Sequence, residues 1–396
     1  MKNKIVHINS SSSGGAFSFV KLLHNNLRDI GFESFVLTRF YKNKPENIFK
    51  YSIIGNVSLS RFFKKMFNPK SLKRDEKFEI FTAPLKKSTV LSKKYVKDAD
   101  IIHLHWVSDL LSVDEIAEMT KIRKVFWTLH DMNPFTGGCH HSDDCEQFLS
   151  GCNNCPQLEN GGKVSRYFEM KRKGFEKIDN DALTIISPSK WMFEKVSKSV
   201  LLKRFRHVLI PHFVDTETFK YQKMEEVRKK LSLDSDKKIF LYVSSVLENN
   251  RKGWDKVLEF IRKSKNRDDI LFVIIGFLKN PELYDDLKNV KCVGKTDSSQ
   301  MMANYYSASD YLINLTVAES FGLTTVESLC CGTPVVCYDI PIMKEHIKDG
   351  INGVFVKKDF SEIQSLPILE RKEISDNARE TYGIKCFNKY LDLYKQ

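Results

Sequence analysis

Two series of short apolar runs, separated by longer segments with helical spacing, constrain this chain more than any other feature. The first series is Ile5 to Ile8, Ile101 to Trp106, Val125 to Leu129 and Leu183 to Ser187, with a helical pattern over Phe17 to Ile30. Such runs read as strands buried on both faces, the mark of a parallel sheet with helical crossovers. After Val208 to Ile210 and a charged helical connection, Met224 to Leu231, the rhythm restarts with Ile239 to Val243, Leu271 to Ile275, Tyr311 to Leu315 and Val335 to Tyr338. The expectation is an α/β fold of two Rossmann-like doubly wound halves, residues 1–210 and 211–380. A closing segment, 381–396, carries a last helix, about Lys385 to Tyr394, that returns to the first half. In open parallel sheets, ligands lie beyond the carboxyl ends of the strands. Two such sheets facing one another make a central cleft.

Composition narrows the classes. The chain has 396 residues, 42% of them hydrophobic, enough for two large cores. No run of eighteen apolar residues occurs, and M-K-N-K-I-V-H-I-N leads into a strand without a hydrophobic signal region. An intracellular protein, soluble or peripheral, is expected. Nine cysteines are an odd number. Cys292, Cys330, Cys331 and Cys337 fall in apolar, core-like segments, so a reduced compartment fits better than a disulfide framework. The net charge of +13 points to an anionic partner: nucleic acid, an anionic lipid surface or a phosphorylated substrate.

Three loops carry candidate chemistry. The first expected strand ends in N-S-S-S-S-G-G-A, where Gly14 and Gly15 let the backbone approach a ligand just before a helix. This is not G-x-G-x-x-G, and the bland alternative is a simple turn. In the second half, S-S-V-L-E-N-N-R-K-G-W places Arg251 and Lys252 beside Gly253 at a helix start, a clamp for a pyrophosphate or else a solvated basic turn. A later loop, A-E-S-F-G-L-T-T-V-E, sets Glu319 before Ser320, Phe321 and Gly322, with Glu327 on the helix that follows. Backbone N–H groups near Gly322, Leu323 and Thr324 would face an anion there. Asp98-Ala-Asp100 and Asp234-Ser-Asp236 match D-x-D but precede strands, at the opposite edge.

In order and spacing, these residues resemble the retaining GT-B glycosyltransferases, the large family that includes sucrose synthase and bacterial polysaccharide glycosyltransferases. The resemblance covers nearly the whole chain: the Gly14-Gly15 loop, T-L-H-D at Thr128 to Asp131, S-P-S-K-W at Ser187 to Trp191, R-K-G at Arg251 to Gly253, the E-x7-E of Glu319 and Glu327, and D-G-I-N-G at Asp349 to Gly353. It implies transfer of a sugar from a nucleotide donor, UDP- or GDP-linked, with the anomeric configuration retained. The donor would lie in the second half and the acceptor in the first. By the same resemblance, Glu319 is catalytic and close to the donor sugar, Glu327 accepts hydrogen bonds from ribose, His130 contacts the sugar, and Asp131 orients the acceptor. Arg251, Lys252 and the Ser320 to Thr324 backbone would take the diphosphate, so no metal or other cofactor is expected for catalysis. The family often has Gly-Arg where this chain has Ser244-Ser245, which leaves the phosphate arginine role to Arg251.

Two further segments remain. The loop 137–157 holds Cys139, Cys145, Cys152 and Cys155, a set that suits structural zinc, with His140 and His141 as substitute ligands and a metal-free loop as the other reading. Four cysteine ligands leave no open position for catalysis. The segment Arg61 to Arg74 interleaves phenylalanines with lysines, either as an anionic-membrane contact or as a packed helix. The expected function is sugar transfer to a glycan acceptor, lipid-linked, in bacterial surface polysaccharide assembly at the inner membrane face, with no nucleic acid as partner. The alternatives are a basic zinc-containing nucleic-acid-binding protein and a nucleotide-sugar epimerase on the same fold.

Overall fold

The structure, a computed structural model, describes residues 4–39, 47–50, 80–84, 90–161, 164–279, 287–357 and 366–396. Arg61 to Arg74 lies outside the described residues. The chain divides into two units, Met1–Pro211 with Leu393–Gln396, and His212–Asp392.

In the first unit, β1 (Lys4–Asn9), β2 (Glu33–Thr38), β3 (Ile48–Lys50), β4 (Ile101–Leu104), β5 (Lys124–Thr128), β6 (Leu183–Ser187) and β7 (Arg206–Leu209) form a parallel sheet in the order β3-β2-β1-β4-β5-β6-β7. Ile5, Val6 and Ile8 of β1 are fully buried, as a central strand covered on both faces requires. The helix Gly15–Asp29 turns Val20, Leu23 and Leu27 inward at helical spacing, and stops where Gly31 takes φ 92°. Each such buried aliphatic side chain contributes about 1.5–3 kcal/mol. The helix Val113–Ile122 begins with a reciprocal cap: Ser112 accepts from Glu115 N, and Glu115 accepts from Ser112 N.

In the second unit, β8 (Lys238–Val246), β9 (Ile270–Phe277), β10 (Val290–Gly294), β11 (Tyr311–Asn314), β12 (Val335–Cys337) and β13 (Gly353–Phe355) follow the order β10-β9-β8-β11-β12-β13. Both sheets therefore place their first strand beside their fourth, β1 against β4 and β8 against β11. At that point successive connections leave in opposite directions, and the loops beyond the strand ends part to form a crevice.

One expectation about the cores is corrected. Cys330, Cys331 and Cys337 are buried, but Cys292 is exposed, because β10 is an edge strand with one face in solvent. Asp100 and Asp234 lie at the amino ends of β4 and β8, away from the crevices. Asp100 there accepts from Lys4 N at 2.8 Å.

Candidate active site

The second unit's crevice is built by the loops after β8 and β11. Asn249 accepts from Lys252 N at 3.3 Å and holds a short 3-10 turn, Asn250–Lys252. Gly253 then starts the helix Trp254–Lys263 with φ 77°. A side chain at Gly253 would meet Leu315 O at 2.3 Å, so the two loops approach as closely as backbone allows. Val317 N donates to Arg251 O at 2.9 Å, and Arg251 Nη1 donates to Ala318 O at 2.6 Å. These bonds lock the basic turn onto the Glu319 loop.

Glu319 is where the two loops meet electrostatically. Lys252 Nζ donates to Glu319 Oε1, and Arg251 Nη1 stands 3.6 Å from the same oxygen. Their side chains are only 13% (Glu319), 16% (Arg251) and 22% (Lys252) exposed, so the trio is shielded enough for charge to matter and open enough to receive a ligand. Its sum is one positive charge. Beyond it, Ser320 and Phe321 are buried, and Gly322, at φ 86°, begins the helix Leu323–Cys330. Gly322 O accepts from Thr325 N and Val326 N, while the amides of Leu323 and Thr324 are in the first turn, at the positive end of the helix dipole. His346 fixes this loop from behind: its Nε2 donates to Phe321 O at 2.5 Å, and its Nδ1 accepts from Tyr382 at 2.7 Å. Burial pushes the His346 imidazole down to about 4.

Glu327 sits one turn along that helix. Tyr306, fully buried, donates to Glu327 Oε2 at 3.0 Å. Burial pushes the Glu327 carboxyl up to about 7, against the lowering effect of that bond. A hydroxyl donor arriving from a ligand would draw it to the ionised form.

In the first unit, the expected residues also collect at carboxyl strand ends. Gly14 caps the helix Gly15–Asp29 with φ 84°, and a side chain there would meet nothing within 4 Å. Before it, Asn9 Nδ2 donates to Ser11 O at 2.6 Å, and Ser10 donates to Asp109, which also pairs with Arg39 at 2.9 Å. His130, just past β5, is partly buried beside Phe19, and burial pushes it down to about 4 despite Asp131. Asp131 faces inward: it accepts from His140 Nδ1 at 2.6 Å, Trp106 Nε1 at 2.5 Å and Asn133 N at 2.8 Å. Burial raises its carboxyl, but His140 and these donors hold it below the usual range.

The histidine cluster behind His130 was not singled out from sequence. His7 Nδ1 lies 3.1 Å from His105 Nε2, and His105 Nδ1 lies 3.2 Å from His130 Nε2. His103, in register with His7, bonds Thr128 at 2.8 Å and Tyr394 at 2.5 Å. His7 Nε2 is buried without a partner. A buried N–H is costlier to orphan than a lone pair, so His7 Nδ1 donates to His105, and His105 Nδ1 donates to His130. The sequence signal was H-L-H: polar residues at alternate positions in an apolar strand share one face. Tyr306 and His346, both tied to the second crevice, gave no comparable signal.

Cys139, Cys145, Cys152 and Cys155 come together. With Phe81, Thr136, Gly137, Gly138 and Val164 they line a small cavity of about 20 Å³. None forms a disulfide.

Residues 223–376 match the family described as Glycosyl transferases group 1. Over 54% of its length the chain is 24% identical to alpha-monoglucosyldiacylglycerol synthase of Acholeplasma laidlawii, and the match spans 59% of that relative. Sucrose-phosphate synthase of Thermosynechococcus elongatus superimposes with a TM-score of 0.69 at 17% identity, over 100% of this chain and 99% of that one. Anabaena Alr3699/HepE, solved in complex with UDP-glucose, gives 0.61 at 14% identity over 98% of each chain. The family match lies inside the second unit and spans Arg251, Lys252, Glu319 and Glu327. The chain therefore carries a glycosyl transferases group 1 domain, on two parallel-sheet α/β units like those of its GT-B structural neighbours.

Proposed function

We propose that this protein transfers a sugar from a nucleotide-sugar donor to a glycan acceptor with the anomeric configuration retained. The observation that carries the proposal is the Arg251–Lys252–Glu319 trio at the β8/β11 crevice, next to a helix N-terminus and one turn from Glu327. A diphosphate entering there would take Arg251, Lys252 and the amides of Leu323 and Thr324 as counter-charges, so that its departure from the sugar needs no metal. Glu327 would accept from the ribose hydroxyls. Glu319, held by two cations, would stay ionised beside the donor sugar, and the leaving phosphate oxygen would collect the acceptor proton on the same face.

The first unit would supply the acceptor side. His130 would contact the sugar, and Gly14 and Gly15 leave room for close approach. Asp131 would orient the acceptor indirectly, by holding Trp106 and His140. The UDP-glucose complex of HepE favours a nucleotide-sugar donor, UDP-linked before GDP-linked, and the glycolipid product named for the Acholeplasma relative favours a lipid-linked acceptor. No helix among the described residues is long and apolar enough to cross a membrane. Reaching such an acceptor would thus fall to a surface contact, and Arg61 to Arg74 has the composition for one.

Calorimetry with UDP and GDP tests the donor site. One of them should bind the wild-type protein, and Arg251→Ala with Lys252→Ala should weaken it at least about tenfold. Equal affinity in the double variant would remove the trio from the donor site.

A further inference from the structure

We propose that Cys139, Cys145, Cys152 and Cys155 bind one zinc ion, and that this ion holds the loop on which Asp131 and His140 depend. The cavity they share has room for one small occupant and none for an organic ligand. Burial pushes the thiols of Cys139, Cys152 and Cys155 up, so they stand protonated until a metal displaces their protons. One backbone donor already faces a sulfur: Gly137 N donates to Cys152 Sγ at 3.3 Å. Amide donors aimed at sulfurs stabilise thiolates, the form that ligates metal. Lys171 adds a buried ammonium that bonds oxygens of Asn133 and Thr136, with Cys139, Cys152 and Asp131 among its neighbours. Four thiolates around Zn²⁺ carry a net charge of −2, which would answer that cation.

The backbone is also held under constraint at this point. Cys152 has φ 51°, a left-handed conformation uncommon for a cysteine. Side chains at Gly137 and Gly138 would meet Val164 at 2.2 Å and Phe81 at 2.4 Å, so the loop is packed tightly onto its cavity. From Cys139 the chain runs directly to His140, whose bonds to Asp131 and Thr82 fix the crevice side of the loop. Binding replaces four S–H protons by the metal, releasing them to solvent.

A second group deserves comparison, because ring nitrogens of His7, His103 and His105 lie within 4.8 Å of one another. Hydrogen bonds among themselves and to Thr128 and Tyr394 already account for their closeness. The four cysteines line one cavity, but no three of their sulfurs stand that close in this structure, so binding would draw them together around the ion.

The test is elemental analysis of the full chain after reducing, chelator-free purification. About one zinc per chain is expected, retained in Cys292→Ser and lost in Cys152→Ser with Cys155→Ser. Because that variant can fail to fold, wild-type protein loaded with Co²⁺ gives an independent readout: the intense visible and thiolate charge-transfer absorption of a tetrahedral sulfur site. Metal-free protein with four freely titrating thiols overturns the proposal. So does a disulfide among the four, or a zinc that survives the cysteine changes and is lost in His7→Ala.

Discussion

The hydroxyl of Tyr306 donates to the carboxylate of Glu327 across 3.0 Å, inside a helix and sheet that exclude most water from both groups. The pair sets a protonation equilibrium close to neutrality, since burial pushes Glu327 up to about 7. If ribose hydroxyls donate to Glu327, nucleotide binding ionises it. Calorimetry at about pH 6 in buffers of different ionisation enthalpy should then register release of close to one proton. Glu327→Gln should abolish that release and weaken the nucleotide by about 1.5–3 kcal/mol. Tyr306→Phe removes a lowering influence, so the pH at which affinity falls should move upward.

Glu319 should behave differently. Glu319→Gln leaves Arg251 and Lys252 in place and adds a positive charge to the crevice, so nucleotide affinity holds or rises while turnover falls at least about tenfold. Steady-state kinetics beside calorimetry separates the two. A variant that loses affinity and keeps its turnover would exchange the roles assigned to Glu319 and Glu327.

The two capping glycines make a paired prediction about backbone. Both have positive φ, but Gly253 also stands where a side chain would meet Leu315 O at 2.3 Å, whereas Gly14 faces open space. Gly14→Ala should cost only about 1 kcal/mol of conformational strain. Gly253→Ala should cost more and pull the basic turn away from Glu319. Denaturant midpoints rank the two, and nucleotide affinity should fall only in the second.

Acid should unfold the protein through its neutral histidines. His24, His130 and His346 are each pushed by burial from 6.5 to about 4, so the unfolded chain binds more protons between those values. Their contribution is present above pH 6.5 and lost as pH falls toward 4, by up to about 1.4 kcal/mol per unit for each histidine. Glu327 acts in the opposite sense: its raised carboxyl costs stability from its unfolded value near 4.5 up to about 7. Three histidines outweigh one glutamate. Urea midpoints from pH 7 to 4.5 should fall, with a shallower slope in His346→Gln.

Much of the sheet architecture could be read in advance, because central strands such as β1, β6 and β11 are continuous apolar runs buried on both sides. The edge was harder. β7 and β10 mix polar with apolar residues, and the exposed Cys292 shows why an apolar run on an edge strand need not be core. For the candidate site, the loops at the strand ends were legible from glycines and charges next to helix starts. What could not be read was the wiring behind them. That Asp131 is spent on Trp106, His140 and Asn133, or that His346 braces Phe321, follows from packing between segments far apart in sequence, and no local pattern records it.

The most direct measurement is release of nucleoside diphosphate from a panel of UDP- and GDP-linked sugars, with and without a membrane extract supplying acceptor, by wild-type protein and Glu319→Gln. Sugar transfer at the β8/β11 crevice predicts one donor turned over, faster with extract, and at least about tenfold slower in the variant. No turnover of any donor by folded wild-type protein, or equal turnover by Glu319→Gln, would contradict it.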